Sequence, residues 1–267
     1  MSHPLPRHWA HLKSADFARL DPNRTVAVLP LAATEQHGPH LPLSVDCDLL
    51  EGVLAHALEH LADDAPVLLL PLQTVGRSIE HESFAGTLTL ESHALIQSWV
   101  QIGAGVARAG VKKLVLLNSH GGNVSTMDIV GRELRARQGL TVLMVNTFSL
   151  KLTADVQALF PPEEHRFGAH GGDIETSMML ALHPDRVDMA LAQNFASTSQ
   201  QRAQRYALLG DGQSAKLAWA IEDLNAMGAA GNAAAATAEK GRAVLQASGR
   251  ALALLLTQAC ELPPLLA

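Results

Sequence analysis

Residues 113–146 read KLVLLNSHGGNVSTMDIVGRELRARQGLTVLMVN, and the fold follows from how this stretch divides. Lys113–Asn118 (KLVLLN) is a short leucine-rich run of the kind that forms a strand buried on both faces. A helix is predicted from about Ser125 to Gln138, stopped by Gly139, and Thr141–Asn146 (TVLMVN) reads as a second strand. Strand, helix and strand in succession make a βαβ unit, whose two strands lie parallel.

The same grammar extends outward. Thr25–Pro30 (TVAVLP) and Pro66–Pro71 (PVLLLP) are two further buried-strand runs. Between them Leu49, Leu50, Val53, Leu54, Ala57, Leu58 and Leu61 recur at helical spacing, as do Leu95, Trp99, Ile102 and Val106 in a segment running from Ser92 to a cap at Gly110. A fourth helix is predicted to start near Asp173 and stop at Pro184, and Ala233–Leu256 is rich in alanine and leucine and reads as helix. The expected fold is α/β, a three-layer α/β/α sandwich on a mostly parallel sheet. In such folds the site lies in loops beyond the carboxyl ends of the strands. No linker or internal repeat divides the chain, so one domain over 1–267 is expected. Residues 192–223 are polar and mixed and take no assignment from pattern.

Composition removes several classes of function. Hydrophobic residues make up 48% and charged residues 17%, enough apolar material for a sizeable core. The net charge of −6 is spread along the chain, and no basic face suited to nucleic acid is visible. No apolar run reaches the ~18 residues of a membrane span, and MSHPLPRHWAHLK lacks the apolar centre of a signal peptide. Two cysteines, Cys47 and Cys260, fit a reducing cytoplasm. The 13 histidines all lie at or before His183, so the last 84 residues do a different job.

Three strand-end loops carry the chemistry. After the first strand, Glu35 and His37 stand two apart, so in an extended loop their side chains point the same way, and Asp46 follows a proline-braced turn. Carboxylate, imidazole and carboxylate are a good donor set for a hard-to-borderline cation, although a lone E-x-H is also an ordinary solvated turn. After Lys113–Asn118 come His120, Gly121, Gly122 and Asn123, where paired glycines permit close backbone approach to a ligand. Both loops should open on one edge of the sheet. The third piece, His170–Ser177, places Glu175 in a helical first turn, where an acid is favoured by the dipole with or without a cation beside it. Glu80 and His81 form a fourth polar patch, which could face the site or only order its own loop.

Taken in order, TEQHGPHLPLSVD, SIEHESFAGTL, NSHGGN, HGGDIETSMML and GNAAAATAEKG resemble the blocks of the creatininase (creatinine amidohydrolase) family, from about Leu29 to Leu245. The resemblance implies an α/β/α sandwich with a two-metal hydrolytic centre, commonly assembled as a hexamer. It matches Glu35, His37, Asp46 and His120 to metal-ligand positions, with Asp46 bridging. The chain departs from creatininase at Gly122, where that enzyme has a glutamate ligand, and at Gly121, where it has a tyrosine. Glu175 is the candidate replacement ligand. With one tyrosine, Tyr206, and no tryptophan between Trp99 and Trp219, creatinine is not the expected substrate. Family members with the H-G-G-N motif include a formamide hydrolase and a protease-like enzyme that trims a peptide-derived cofactor precursor.

The expectation is therefore a hydrolase that cleaves a C–N amide-type bond of a small molecule with water activated by divalent metal, two ions of Zn, Mn or Fe per chain. His170 and Glu175 are the candidate proton donors to the leaving nitrogen, His170 if Glu175 is a ligand. Gly121, Gly122, Asn123, Glu80 and His81 are the candidate substrate contacts. The competing expectations are a catalytically inactive scaffold of the same fold, or a peptidase or lactone hydrolase on the same centre.

Overall fold

A computed structural model describes residues 5–265 of the chain. Its central sheet has four strands, β1 (Val26–Leu31), β2 (Val67–Leu69), β3 (Lys113–Asn118) and β4 (Thr141–Asn146), all parallel and in the order β2-β1-β3-β4. The helices that cover it are α1 (Val45–His60), α2 (Ser92–Arg108), α3 (Val124–Gln138), the short α4 (Ala154–Gln157) and α5 (Pro162–Phe167), and α6 (Asp173–Leu182). A two-stranded ribbon of β5 (Asn194–Phe195) and β6 (Gly231–Asn232), the short α7 (Thr198–Arg205) and α8 (Ile221–Leu224), and the long α9 (Ala238–Glu261) complete the chain.

Alternation along the inner strands sorts the core into two layers. Val26, Val28, Val115 and Leu117 face α1, α6 and α9, while Ala27, Leu29, Leu31, Leu114 and Leu116 face α2 and α3. Every residue of β1 and β3 is buried, because helices cover both faces. The three-layer α/β/α sandwich is thus present as expected.

Boundaries shift where backbone chemistry overrules pattern. The second strand is confined to Val67–Leu69, short of the predicted Pro66–Pro71, since neither proline can donate to the ladder. Pro30 is accommodated inside β1 because its nitrogen points to the side where β2 has already ended. The C-terminal helix begins at Ala238 rather than Ala233: Thr237 caps it by accepting from the Lys240 amide, and Ala233–Ala235 form a separate 3-10 turn. Its other end is capped by the buried Lys113, whose Nζ donates to the carbonyls of Ala259, Cys260 and Leu262 at 2.7, 2.9 and 3.0 Å. Gly139 closes α3 in the left-handed conformation at φ 67°. No helix among the described residues is long and apolar enough to cross a membrane. What positions the site is that β1 and β3 are adjacent and parallel, so the loops that leave them open side by side.

Candidate metal centre

The loop leaving β1 carries Glu35 and His37 and then turns into α1, whose first turn carries Asp46. The loop leaving β3 carries His120, and the turn before α6 carries His170, with Glu175 inside that helix. Glu35, His37, Asp46 and His120 are buried, and Glu175 keeps a side-chain exposure of 28%. Asp48, two residues beyond Asp46 on the helix, points away and accepts from Ser44 and Arg186.

These side chains converge. Glu35 Oε1 lies 3.1 Å from His120 Nδ1, 3.6 Å from His81 Nε2, 3.9 Å from His170 Nδ1 and 4.0 Å from His37 Nε2. Asp46 offers one oxygen to each side, Oδ1 at 3.9 Å from His37 Nε2 and Oδ2 at 3.4 Å from His120 Nδ1. Glu175 Oε2 lies 3.9 Å from the same His37 nitrogen. Two triads with donor atoms within 4.8 Å of one another result, Glu35/Asp46/His120 and His37/Asp46/Glu175, and they share Asp46. A third set, Glu35/His37/His170, overlaps both.

Whether this set suits a cation can be judged from its unsatisfied atoms. Glu35 Oε2, His37 Nε2 and Asp46 Oδ2 are buried without a hydrogen-bond partner. Orphaned buried polar atoms are costly, and three in one cluster of metal-type donors is what a cation would relieve. The protonation pattern agrees. Burial alone would push the His120 ring down, yet Glu35 beside it, then Asp46 and Glu80, raise it to about 10. Burial and the neighbouring Glu35 hold Asp46 well above the usual carboxylate range, while His120 holds Glu35 below it despite burial. Burial lifts Glu175 to about 7 against the Gly171 amide that stabilises its charge. The cluster thus retains protons to offset three crowded carboxylates, the role a divalent ion would take.

Outer hydrogen bonds fix which ring nitrogen faces inward. His37 Nδ1 donates to Glu35 O at 3.1 Å, leaving Nε2 bare, and His120 Nε2 donates to Arg77 O at 2.8 Å, leaving Nδ1 for the cluster. His170 Nε2 donates to Gln36 O at 2.6 Å, so its Nδ1 faces the cluster without a proton. Gln36 sets the opposite tautomer on His81. Gln36 Oε1 accepts from the Gly38 amide at 2.9 Å, so its Nε2 donates to His81 Nδ1 at 2.8 Å and leaves a proton on His81 Nε2, toward Glu35. The rings of His37, His170 and His81 stack in sequence, with centroids 4.0 and 4.1 Å apart, and Trp219 meets His81 edge-on at 6.3 Å. Burial lowers His37 to about 4 and His81 and His170 to about 3.

The two glycines after His120 differ. A Cβ at Gly121 would meet open space. One at Gly122 would lie 2.5 Å from His120 Nε2 and closer still to Arg77 O and Glu80 Oε1. Gly122 is therefore the position at which the Glu80 carboxylate, 3.7 Å from His120 Nε2, fills the room of a side chain. Asn123 lies beneath the site: its amide accepts from Arg77 N at 2.9 Å and donates to Ala32 O and Asn118 Oδ1, both at 3.1 Å. That side chain is fully buried, with both ends engaged by the loops.

Sequence reasoning missed Gln36, hidden between two ligand-type residues, and Trp219, in the unassigned stretch. It also missed the part played by residues 228–232. The Ala230 amide donates to His170 O at 2.7 Å and its carbonyl accepts the His170 amide at 3.2 Å, so this segment grips the His170 turn, where Gly171 adopts φ 62°.

The sequence model of the creatinine amidohydrolase (Creatininase) family matches residues 10–256. The mycofactocin precursor peptide peptidase of Mycobacterium tuberculosis is 37% identical over 131 residues, 47% of this chain and 52% of that protein. The creatinine amidohydrolase of Pseudomonas putida is 34% identical over 187 residues, 64% of this chain and 70% of that enzyme. The chain thus spans about half the length of the mycobacterial relative in the aligned region. A crystal structure of creatinine amidohydrolase superposes with a TM-score of 0.75 at 27% identity, covering 97% of this chain and 99% of that one. Solved creatininases are described as a manganese form and, for a variant, as a Zn-Zn type. Sheet order, site loops and family match agree: this chain belongs to the creatininase family.

Proposed function

We propose that this chain is a metal-dependent hydrolase of a C–N amide-type bond, such as a cyclic amide or a formamide, in a small molecule. The observation that carries the reading is the convergence of the unpartnered Glu35 Oε2, His37 Nε2 and Asp46 Oδ2 in one buried cluster. Glu35, Asp46 and His120 would hold one divalent ion, and His37, Asp46 and Glu175 a second, with Glu175 taking the part that creatininase gives to the residue at position 122. Zinc, manganese and iron all suit this donor set. A bound divalent ion lowers the pKa of its water from 15.7 to about 7 and polarises a carbonyl oxygen.

The chain's own residues supply the rest. Hydrolysis of an amide moves one proton from the attacking water to the departing nitrogen. His170 presents a bare Nδ1 to the cluster and is the candidate to take that proton and return it to the leaving nitrogen. His81 presents Nε2–H and is a hydrogen-bond donor to substrate oxygen. Gly121 leaves space where a substrate can lie. The overlapping set Glu35/His37/His170 supports a second reading, with His170 as a ligand rather than a proton carrier.

Metal content per chain, measured on protein purified without chelator, tests the assignment. We expect about two ions in wild type and about one in Glu175→Ala. His170→Ala should keep the metal and lose rate; loss of an ion would make His170 a ligand. One ion or none in wild type, even after metal is added, would refute the dinuclear reading, and full occupancy without hydrolysis of amides, lactams or formamides would leave a binding scaffold. As the family resemblance implies, we expect a homo-oligomer, which light scattering checks. The buried free thiols of Cys47 and Cys260 fit a cytoplasmic setting.

A further inference from the structure

The stretch that pattern left unassigned walls a cavity of about 300 Å³ beside the metal centre. Ala169, next to His170, lines it, and so does Trp219, the ring that also meets His81. Its charged lining is Arg166, Arg202, Lys216 and Asp211, a balance of +2 (three cations, one anion) in a chain whose net charge is −6. The one acid, Asp211, accepts from the amides of Gln213 and Ser214 at 2.7 and 2.8 Å and from the Ser214 hydroxyl, and these bonds, with the charge of Arg166, hold its carboxyl below the usual range. Each arginine has donors to spare. Arg166 uses one Nη on Gly210 O at 2.9 Å, and Arg202 uses one on Thr198 Oγ1 at 2.9 Å, out of five N–H groups apiece. Two guanidinium groups and an ammonium around a concave space form a site for a planar or tetrahedral oxyanion.

We propose that this cavity is the anion subsite of the substrate: the molecule hydrolysed carries a carboxylate or phosphate group that Arg166, Arg202 and Lys216 hold, while its scissile bond reaches past Trp219 to the metal centre. The inference rests on the hydrolase reading for the word substrate, but anion binding itself does not depend on metal. Holding a remote charged group would orient the reacting bond.

The test is titration of the purified protein with inorganic phosphate and, separately, acetate, followed by tryptophan fluorescence and calorimetry at constant ionic strength, before and after chelation. The expected result is saturable binding of one anion per chain that survives chelation and weakens about fivefold or more in both Arg202→Ala and Lys216→Ala. The tighter of the two probes names the group. Lys216 is exposed, so its variant leaves folding untouched, and thermal melting checks Arg202→Ala. Absence of saturable binding, binding lost on chelation, or wild-type affinity in either variant would overturn the proposal. Metal content together with hydrolysis of amides, lactams and formamides, measured on the same samples, shows separately whether the hydrolase reading stands.

Discussion

Gly122 offers the sharpest perturbation, because creatininase has a glutamate there and this structure has no room for one. A Cβ at position 122 would stand 2.5 Å from His120 Nε2, against the 3.0 Å below which real contacts essentially never fall, so the ring must retreat by about half an ångström. The Arg77 carbonyl and the Glu80 carboxylate are nearer still, and backbone yields less readily than a side chain. Arg77 O is also the acceptor that holds His120 Nε2, so moving it turns the ring whose Nδ1 faces Glu35 and Asp46. Overpacking of this kind costs about 1–3 kcal/mol, or roughly 2–4 °C of melting temperature per kcal/mol in a chain of this size. Disturbing the partner that orients a ligating histidine costs about 10–100-fold in metal affinity. Gly122→Ala should therefore lower both melting temperature and metal affinity, and Gly122→Glu should do so more strongly. Calorimetry of metal binding and thermal melting read the two effects. If Gly122→Glu melts like wild type and binds metal as tightly, the loop adapts and the reasoning from the crowded Gly122 position is refuted.

Three further outcomes are expected. Gln36→Glu keeps the side chain's size but makes it an acceptor from His81, so nitrogen NMR of the His81 ring should move the proton from Nε2 to Nδ1; an unchanged tautomer would refute the Gln36 lock. Lys113→Met strands the carbonyls of Ala259, Cys260 and Leu262 at the end of α9 and should destabilise the fold by about 2–4 kcal/mol in denaturant unfolding, whereas a loss under about 0.5 kcal/mol would show water taking over the cap. His40 is neutral when buried, with Nε2 on Thr176 Oγ1 at 2.9 Å and Nδ1 unpartnered, and burial lowers it to about 4. Its folded pKa lies below the unfolded value, so its contribution is complete above about pH 6.5 and is lost at up to about 1.4 kcal/mol per pH unit as pH falls toward 4. His40→Gln should flatten stability against pH in that window by this amount relative to wild type, and an identical slope would refute the assignment.

The strands, the helices and the two-sided burial of the sheet were legible in the chain because apolar periodicity is a local property: β1 and β3 read as unbroken hydrophobic runs since helices cover both their faces. Glu35, His37, Asp46, His120, His170 and Glu175 were legible as well, since each stands at a strand end or helix start, three of them (His37, His120 and His170) directly before a glycine, and the structure gathers all six. What the chain alone could not say is which atoms of these residues face one another. That Asp46 turns one oxygen to His37 and the other to His120, or that Glu80 fills the space at Gly122, depends on loops up to 74 residues apart, from Asp46 to His120, meeting across the sheet edge. Tautomers are decided the same way. His81 and His170 are alike in sequence, and only the amide of Gln36 beside one and its carbonyl beside the other make them a donor and an acceptor. Residues 192–223 have little period to read because their regular elements, β5, α7 and the start of α8, are short; the rest wraps, and the place of Trp219 beside His81 exists only in three dimensions.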